Sequence, residues 1–439
     1  MEKHLLAHHL VHFGQAQGTP FTTPPLSNLV DFTGESDFCQ KFREGEVDIE
    51  QIPTDETTKL FLTELQQDIT DPPPISAEIT REQIINGFKI WTERTSTSPE
   101  GRHLGLYKTW IHKESPENVR NEIHPDHFFD IILLIIQISI KHAIPLERWG
   151  TVHNLFLQKE QGNYKIHRLR FLHKIDAELN LVRREFIARR LMKHSERHKT
   201  IVDEQYGGRT GRSAIDVVLL KECTLAIMHL QRSNGAITDC DAKACYDRIL
   251  ACIAALTNSK AGLPAHLCTF FAKALEQMRY HMVTAYGVSE EYNQHSAEHP
   301  VHGVGQGSTD GPSAWNQVSN IMIKAHNKQA NGSTIQDPTK SITVKRSADM
   351  FVDDATLVHN NNKFDATEET IMESVQKDLK SWSDLLWTTG GLLELTKSEY
   401  YMMIWQFDQT GKPSLKPFES LTPNTVKVKT QTGETAHIR

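Results

Sequence analysis

The spacing of hydrophobic residues changes along the chain from helical to strand-like and back, which predicts mixed α and β structure. Residues 127–141 are apolar on most faces and predict a buried helix, well short of a membrane span. Residues 151–175 alternate between apolar and polar positions, so we expect two strands that meet at a turn over 158–163. Helical spacing returns from Ile371 to Leu386, and an aromatic strand follows at 400–405.

Two adjacent aspartates, Asp353 and Asp354, lie between the short apolar runs 350–352 and 355–358. Neighbouring side chains on a strand point to opposite faces, so the pair fits a tight hairpin turn better than a strand interior. Two adjacent carboxylates repel each other and resist burial, so they favour a bound cation. An exposed acidic turn is the ordinary alternative, and a third carboxylate nearby would argue against it.

The segment Gly235–Arg248 contains a candidate for that third carboxylate. Its pattern predicts a short strand that runs into an acidic turn and then a helix. Asp241 falls at the end of this strand. Asp239 lies two residues earlier on the same face and competes with it.

Two glycine-rich segments predict loops that a ligand can approach closely. Gly303–Pro312 precedes a helix that its proline opens. Gly207–Arg212 combines glycines with Arg209 and Arg212, and free backbone amides beside arginines suit phosphate groups. For this second loop, a plain turn with solvated cations is the alternative.

The charge distribution is more informative than the net charge of -7 over 439 residues. Residues 1–75 contain thirteen acidic and four basic side chains, whereas residues 159–212 contain fourteen basic and seven acidic ones. One basic segment of an acidic chain can therefore contact a polyanion. The six cysteines include no Cys-x-x-Cys pair, which is typical of the reduced thiols of an intracellular protein of the cytoplasm or the nucleus.

The two ends of the chain predict peripheral segments. Residues 1–75 are polar and acidic and end in a proline-rich linker, so we interpret them as an N-terminal extension. His4, His8 and His12 share one helical face there, which favours a solvated amphipathic helix over a metal site. Residues 406–439 are polar and predict a loosely ordered tail.

The order of these motifs resembles the palm of reverse transcriptases, particularly those of non-LTR (LINE-like) retroelements, over roughly residues 75–405. The resemblance implies a right-hand polymerase of the α+β class. Its fingers would cover residues 76–232, and its palm, an antiparallel sheet backed by helices, residues 233–405. The thumb would be truncated or absent, with at most a remnant in residues 406–439. The implied activity is that of an RNA-directed DNA polymerase from a retrotransposon-derived open reading frame.

The resemblance also assigns roles in the nucleotide pocket. Asp241 matches the first palm carboxylate, and Tyr246 matches the aromatic steric gate whose ring would collide with a ribose 2′-hydroxyl. Gln306 and Gly307 match the Gln-Gly pair that lines the pocket for the incoming nucleotide and the template.

Further matches complete this implied site. Residues 351–354 match the aromatic-x-Asp-Asp box, and Lys397 matches a lysine that is a candidate proton donor to the leaving pyrophosphate. Arg168 and Arg170 lie where cations of the fingers hold the incoming triphosphate. The segment around Arg209 and Arg212 resembles the finger segment before the palm, which implies contacts with nucleic acid.

The resemblance implies two Mg²⁺ ions, or Mn²⁺, held by Asp241, Asp353 and Asp354. The implied partners are an RNA template, a DNA primer and dNTPs. No endonuclease, RNase H, protease or integrase pattern is evident in the sequence, which suggests a fragment of an element's open reading frame and leaves open an endonuclease partner supplied elsewhere. No membrane partner is expected.

Two alternatives remain open at the level of the sequence. An RNA-dependent RNA polymerase usually has a small residue in place of Tyr246, so this alternative is the weaker one. A catalytically inactive retroelement remnant that only binds nucleic acid is compatible with the short thumb. Gly311-Pro312, where the family usually has Ser-Pro, is a further departure from the pattern.

Overall fold

The structure is a computed structural model. It describes residues 1–66, 68, 70–92, 98–113, 127–337, 339, 341–360, 366–421, 426–429 and 435–438. Helices and antiparallel strands are mixed along the chain, as the sequence predicts for the α+β class.

The first half of the chain is mainly helical. Its elements, in chain order, are α1 (Glu2–Phe13), α2 (Leu26–Leu29), α3 (Asp37–Arg43), α4 (Glu56–Leu65), α5 (Arg81–Ile90), α6 (Leu104–Lys113), α7 (His127–Lys141), β1 (Thr151–Gln158), β2 (Leu169–Lys174), α8 (Ala177–Arg183), α9 (Met192–His198) and α10 (Ala214–Gln231). A π-helical stretch, Arg184–Leu191, joins α8 to α9.

The second half contains most of the strands. Its elements are β3 (Gly235–Asp241), α11 (Cys245–Arg248), α12 (Ala251–Lys260), α13 (Ala265–Glu276), β4 (Arg279–Thr284), β5 (Gly287–Asn293), α14 (Gly311–Gln329), β6 (Ser333–Gln336), β7 (Thr343–Arg346), β8 (Ala348–Phe351), β9 (Asp354–His359), α15 (Glu368–Thr388), β10 (Glu399–Met403), β11 (Trp405–Phe407), β12 (Pro413–Leu415), β13 (Val426–Lys429) and β14 (Thr435–Ile438).

Two four-stranded sheets organise these elements. One has the order β2-β1-β4-β5, with β1 parallel to β4 and the other neighbours antiparallel. The other has the order β10-β3-β9-β8 and is antiparallel throughout. The hairpins β6-β7, β11-β12 and β13-β14 form separate two-stranded sheets.

Strand β3 has two different faces. Thr238 is fully buried and its hydroxyl lies 3.0 Å from His359 Nε2 on β9, and His359 Nδ1 lies 3.0 Å from Asp378 on α15. This chain of polar contacts fixes the face of β3 that packs toward α15. Side chains alternate along a strand, so Asp239 and Asp241 lie on the opposite face.

The N-terminal residues pack into the core, in contact with helices and strands from later in the chain, and their assignment to an N-terminal extension stays a prediction. Helix α1 buries Leu5, Leu6 and Phe13, while α4 buries Phe61 and Leu62 and packs against α14 and α15. The sequence pattern around the histidines of α1 was too polar to indicate this burial. Leu5, Leu6 and Phe13 nevertheless fall on one side of α1, which contacts β4 and β5, while Val11 on the other side is exposed.

Two expectations need correction. Helix α7 has the predicted extent, but Ile131, Leu134 and Ile138 are each more than half exposed because only the opposite face packs. At the C-terminus, β13 and β14 form a hairpin that buries Val428 and Ile438 and packs on α15, so these described segments are not a loose tail. Among the helices of the described residues, none combines the length and apolarity needed to cross a bilayer.

Candidate active site

The predicted Asp-Asp hairpin is present between β8 and β9. Strand β8 ends at Phe351, which pairs with Asp354, the first residue of β9. Val352 has φ +58°, a left-handed conformation that is strained for a β-branched residue. Its carbonyl accepts a hydrogen bond from Trp315 Nε1 at 2.6 Å, which helps to hold this turn.

The loop around Gly207 packs against this turn and is hydrogen-bonded to the adjoining strand β8. The Tyr206 amide donates to Met350 O, and the Met350 amide donates to Glu204 O, both at 2.8 Å. A Cβ at position 207 would lie 2.2 Å from the Val352 amide nitrogen, so glycine is required for this close approach. Gly207, one of the glycines that the sequence suggested for phosphate contacts, therefore packs against the hairpin.

Three carboxylates meet at this end of the sheet. Asp241 and Asp354 are direct cross-strand neighbours on β3 and β9, and the Ala242 amide donates to Asp353 O at 3.3 Å. Burial raises the pKa of Asp353, and the charge of Asp241 raises it further. Burial also raises the pKa of Asp354, with added repulsion from Asp353 and Asp241. The group therefore favours a cation.

Lys397 provides one cation at this point. Its Nζ lies 3.0 Å from Asp241 Oδ2, and this hydrogen bond raises the pKa of Lys397. The backbone leading to it is tied to β3, because the Glu394 amide donates to Asp241 O at 2.8 Å. Lys397 thus remains protonated and acts as the counter-charge of Asp241 in this structure.

Asp239, the competitor of Asp241, has other partners. It forms an ion pair with Lys221 and accepts a hydrogen bond from the Thr356 hydroxyl at 2.8 Å. These contacts neutralise the charge of Asp239 within the protein. Asp241, the cross-strand neighbour of Asp354, is therefore the carboxylate of β3 that lies nearest to the hairpin.

The donor set at the sheet end fits a divalent cation chemically, because hard carboxylate oxygens suit Mg²⁺. The geometry does not form a closed site, however. Within the residues that the structure describes, no group of three or more His, Cys, Asp or Glu side chains stands close enough to hold a metal ion. Asp241 instead interacts with Lys397. Metal binding by the three aspartates stays a prediction.

A pocket of about 350 Å³ ends at Asp353. Its walls include four of the residues that the sequence assigned to nucleotide binding, namely Arg170, Tyr246, Gln306 and Gly307. Arg170 is exposed on β2, and its charge lowers the pKa of Asp353, which places the two groups within electrostatic reach. Burial raises the pKa of Tyr246, so its hydroxyl stays neutral.

Arg168 is not among the residues that line this pocket. It lies before β2, more than half exposed, and its guanidinium is 3.8 Å from the equally exposed Glu160. Such an exposed pair is weak, so Arg168 can exchange partners. Its contact with a triphosphate stays a prediction.

The loop that carries Gln306 is locked onto β2. The His173 amide donates to Gln306 O at 2.7 Å. Gly307 has φ +108°, and a Cβ there would lie 2.4 Å from His173 O. Glycine is therefore needed for the packing of two protein segments, whereas the sequence suggested only room for a ligand.

Asp247, which the sequence reasoning did not select, holds the Gln306 side chain and is itself held by His12. Gln306 Nε2 donates to Asp247 Oδ2 at 3.3 Å, and His12 Nε2 lies 2.9 Å from the same oxygen. Asp247 is part of the motif that contains Asp241 and Tyr246, so its spacing offered a signal. His12 offered none, because its partner is 235 residues away.

The two arginines predicted to contact nucleic acid are engaged within the protein. The Arg209 side chain is buried and donates two hydrogen bonds of 2.6 and 2.8 Å to Glu196, and it also donates to the carbonyls of Val202 and Gln205. Arg212 binds Asp203 at 2.7 Å. These contacts do not support a nucleic-acid role for Arg209. Arg212 pairs with a side chain that is 91% exposed, so its partner can be replaced.

Comparison with known proteins gives one family. Residues 182–401 match the family described as reverse transcriptase (RNA-dependent DNA polymerase). The match spans half of the 439 residues and includes the three aspartates and Lys397. It begins after Arg170, so that side of the pocket lies outside it. No curated protein matches the chain.

Proposed function

This chain belongs to the reverse transcriptase (RNA-dependent DNA polymerase) family, and on that premise we propose that it extends a primer 3′-hydroxyl with dNTPs on an RNA template. A domain of this family implies a nucleic-acid template, a primer and nucleotide substrates. The observation that carries the finer proposal is the pocket that joins Arg170, Tyr246 and Gln306 to Asp353.

Each side of this pocket has a proposed task. Arg170 neutralises the triphosphate while charge moves to the leaving pyrophosphate. The Tyr246 ring excludes a ribose 2′-hydroxyl, which selects dNTPs over rNTPs. Gln306, held by Asp247, and Gly307 shape the wall against which the nucleotide and the template base rest. Lys397 keeps its proton through Asp241, as a donor to pyrophosphate must before the reaction.

Asp241, Asp353 and Asp354 would hold two Mg²⁺ ions, or Mn²⁺, together with oxygens of the substrates. When bound, such a pair of ions stabilises the attacking and leaving oxygens of an in-line displacement. The burial and mutual repulsion that raise the pKa values of Asp353 and Asp354 support this assignment, because they leave negative charge to be neutralised.

We also propose an origin, a cellular location and a nucleic-acid contact for this protein. The motif order supports a non-LTR retroelement, which would place the protein in the cytoplasm or the nucleus. The basic segment 159–212 would meet the template–primer backbone, so binding should weaken with salt.

One observation favours a second candidate, a nucleic-acid-binding protein without catalysis. The Asp241–Lys397 pair already neutralises one of the three carboxylates, and the described residues lack a closed metal site. A remnant of this kind would bind an RNA/DNA hybrid and leave the primer unextended.

Primer extension by the full chain tests the proposal. A DNA primer annealed to an RNA template is offered dNTPs or rNTPs with Mg²⁺. We expect extension with dNTPs, reduced about 1000-fold by Asp353→Ala, because several kcal/mol of transition-state stabilisation would be lost. Tyr246→Ala should increase the share of rNTPs that are incorporated.

Asp203→Ala is the matched control, since Asp203 is exposed and lies outside the pocket. Extension that survives Asp353→Ala would show that the metal assignment is wrong. A preference of the intact protein for rNTPs would indicate an RNA polymerase. Binding of the hybrid without any extension would favour the second candidate.

A further inference from the structure

A second cavity, of about 590 Å³, lies beside Lys243, two residues after the end of β3. Its apolar wall includes Trp387 at the end of α15, Leu392, Leu393 and Val428 of the C-terminal hairpin. A volume of this size is typical of sites for small organic molecules. None of the residues assigned above to catalysis or nucleotide binding lines it.

The wall also contains a buried cation without a counter-charge. Arg248 is 2% exposed, and its contacts are with neutral groups: Nε donates to Gly390 O at 2.9 Å, and Nη1 donates to Gln15 Oε1 at 3.1 Å. Burial lowers its pKa to about 10. Throughout the described ranges, no carboxylate pairs with this guanidinium and no acceptor lies at Nη2. An unpaired buried charge is unfavourable, so an anion at this point would stabilise the protein.

Lys243 adds a second cation to the same wall. Its amide donates to Leu392 O at 2.8 Å, which fixes its backbone beside the cavity, while its ammonium has no ion-pair partner among the described residues. None of the described residues that line the cavity is acidic. Two cations on a wall that is mainly apolar, with Gln15 and Ser383 as its neutral polar side chains, select a ligand that is both anionic and apolar.

We propose that the cavity between Arg248, Lys243 and Trp387 is a binding site for a small organic anion with an aromatic or aliphatic body. The carboxylate or sulfonate of the ligand pairs with the two cations. The body packs on Trp387 and the leucines of the 392–395 segment, the segment whose backbone also binds Asp241. The site is separate from the nucleotide pocket and does not depend on polymerase activity.

Calorimetric titration of the full chain with 1-naphthoate tests this site, with 1-naphthamide as the neutral ligand of the same shape. We expect one 1-naphthoate to bind per chain, at least about tenfold more tightly than 1-naphthamide, because a charge-assisted contact is lost with the amide. Lys243→Met should weaken 1-naphthoate about tenfold and leave 1-naphthamide unchanged. Lys243→Glu should abolish the preference for the anion.

Arg248→Met should remove the preference as well, and its thermal unfolding shows whether the variant folds. If it does not fold, the two Lys243 variants still decide the matter. Lys345→Met, at an exposed position of β7, is the matched control and should bind like the unmodified chain. Equal affinity for the two ligands, or 1-naphthoate binding that Lys243→Glu leaves intact, would overturn the proposal, as would no binding of 1-naphthoate.

Discussion

The Asp353–Asp354 hairpin and the Gly207–Arg212 loop are both charged turns, and they touch each other, yet the protein treats their charges in opposite ways. Arg209 and Arg212 of the loop each bind a carboxylate within the protein. The carboxylates of the hairpin repel each other and Asp241, and their pKa values are raised. The described residues provide no ion pair for Asp353 or Asp354.

The paired charges of the loop stabilise the fold, whereas the carboxylates of the hairpin, unpaired among the described residues, form part of the candidate site. Groups that are paired internally stabilise the fold, whereas groups left in repulsion lower its stability and are ready for a ligand. Gly207 connects the two, because its missing side chain lets the loop hold the strained turn at Val352. The loop therefore serves the hairpin mechanically. The free energies of unfolding of three variants, Arg209→Met, Asp353→Asn and Arg212→Met, test whether the charges of the two turns differ in this way.

Arg209→Met should have the largest effect. The substitution removes four hydrogen bonds and leaves Glu196 without its partner, so we expect the free energy of unfolding to fall by about 2–3 kcal/mol at neutral pH. This is less than for a fully buried pair, because the Glu196 side chain is 35% exposed. Urea unfolding measures the loss of stability. Arg197→Met, at an exposed position of α9, the helix that contains Glu196, is the control.

The pH dependence of this loss identifies its cause. The hydrogen bond with Arg209 lowers the pKa of Glu196 below its ordinary 4.5. The pair therefore contributes its full stability above pH 4.5, and this contribution disappears as the pH falls through the lowered pKa of the folded state. A loss of stability that is the same at pH 7 and pH 3 would contradict the pairing.

Asp353→Asn should act in the opposite direction. Removal of one repelling charge should stabilise the protein by about 1 kcal/mol at neutral pH without divalent metal. The pKa of Asp353 is raised above 3.8 in the folded protein, so folding favours its protonated form. The gain should therefore be present above the raised pKa and vanish as the pH falls toward 3.8 and below. Asp203→Asn, at the exposed partner of Arg212, should change little.

Mg²⁺ should make the unmodified chain more stable than the Asp353→Asn variant. A ligand that binds only the folded state adds about 2.7 kcal/mol when its concentration is about 100 times its dissociation constant, which exceeds the gain expected from Asp353→Asn. The unmodified chain should gain this stability, and the Asp353→Asn variant should not. Equal stabilisation of both by Mg²⁺ would remove the hairpin from the proposed metal site.

Arg212→Met should have the smallest effect on stability, within about 0.5 kcal/mol, because its partner Asp203 is exposed. If Arg212 exchanges Asp203 for a phosphate, the variant should bind an RNA/DNA hybrid with a salt dependence reduced by about one unit of slope. Asp203→Asn frees the guanidinium and should leave that slope unchanged. If the salt dependence of hybrid binding is the same for Arg212→Met as for the unmodified chain, the loop has only a structural role.

Short-range patterns predicted much of the fold and the centre of the site. The strands over 151–175, the α7 helix, the hairpin at Asp353 and the strand that ends at Asp241 follow from alternation and turn residues within a few positions. Such signals are local, so a single sequence contains them. The family motifs then placed Tyr246 and Gln306, and the structure brings both to one pocket.

The pairing of the charged groups, in contrast, follows from the three-dimensional packing of the chain. Glu196 and Arg209 are close enough in sequence for the pair to be considered, but Lys397 finds Asp241, and His12 finds Asp247, across more than 150 residues. The burial of α1 likewise depends on strands far along the chain. Local sequence patterns specify where the charged residues of this protein lie. The packing of distant segments determines which of these charges are neutralised, because pairing and burial require neighbours that local spacing does not specify.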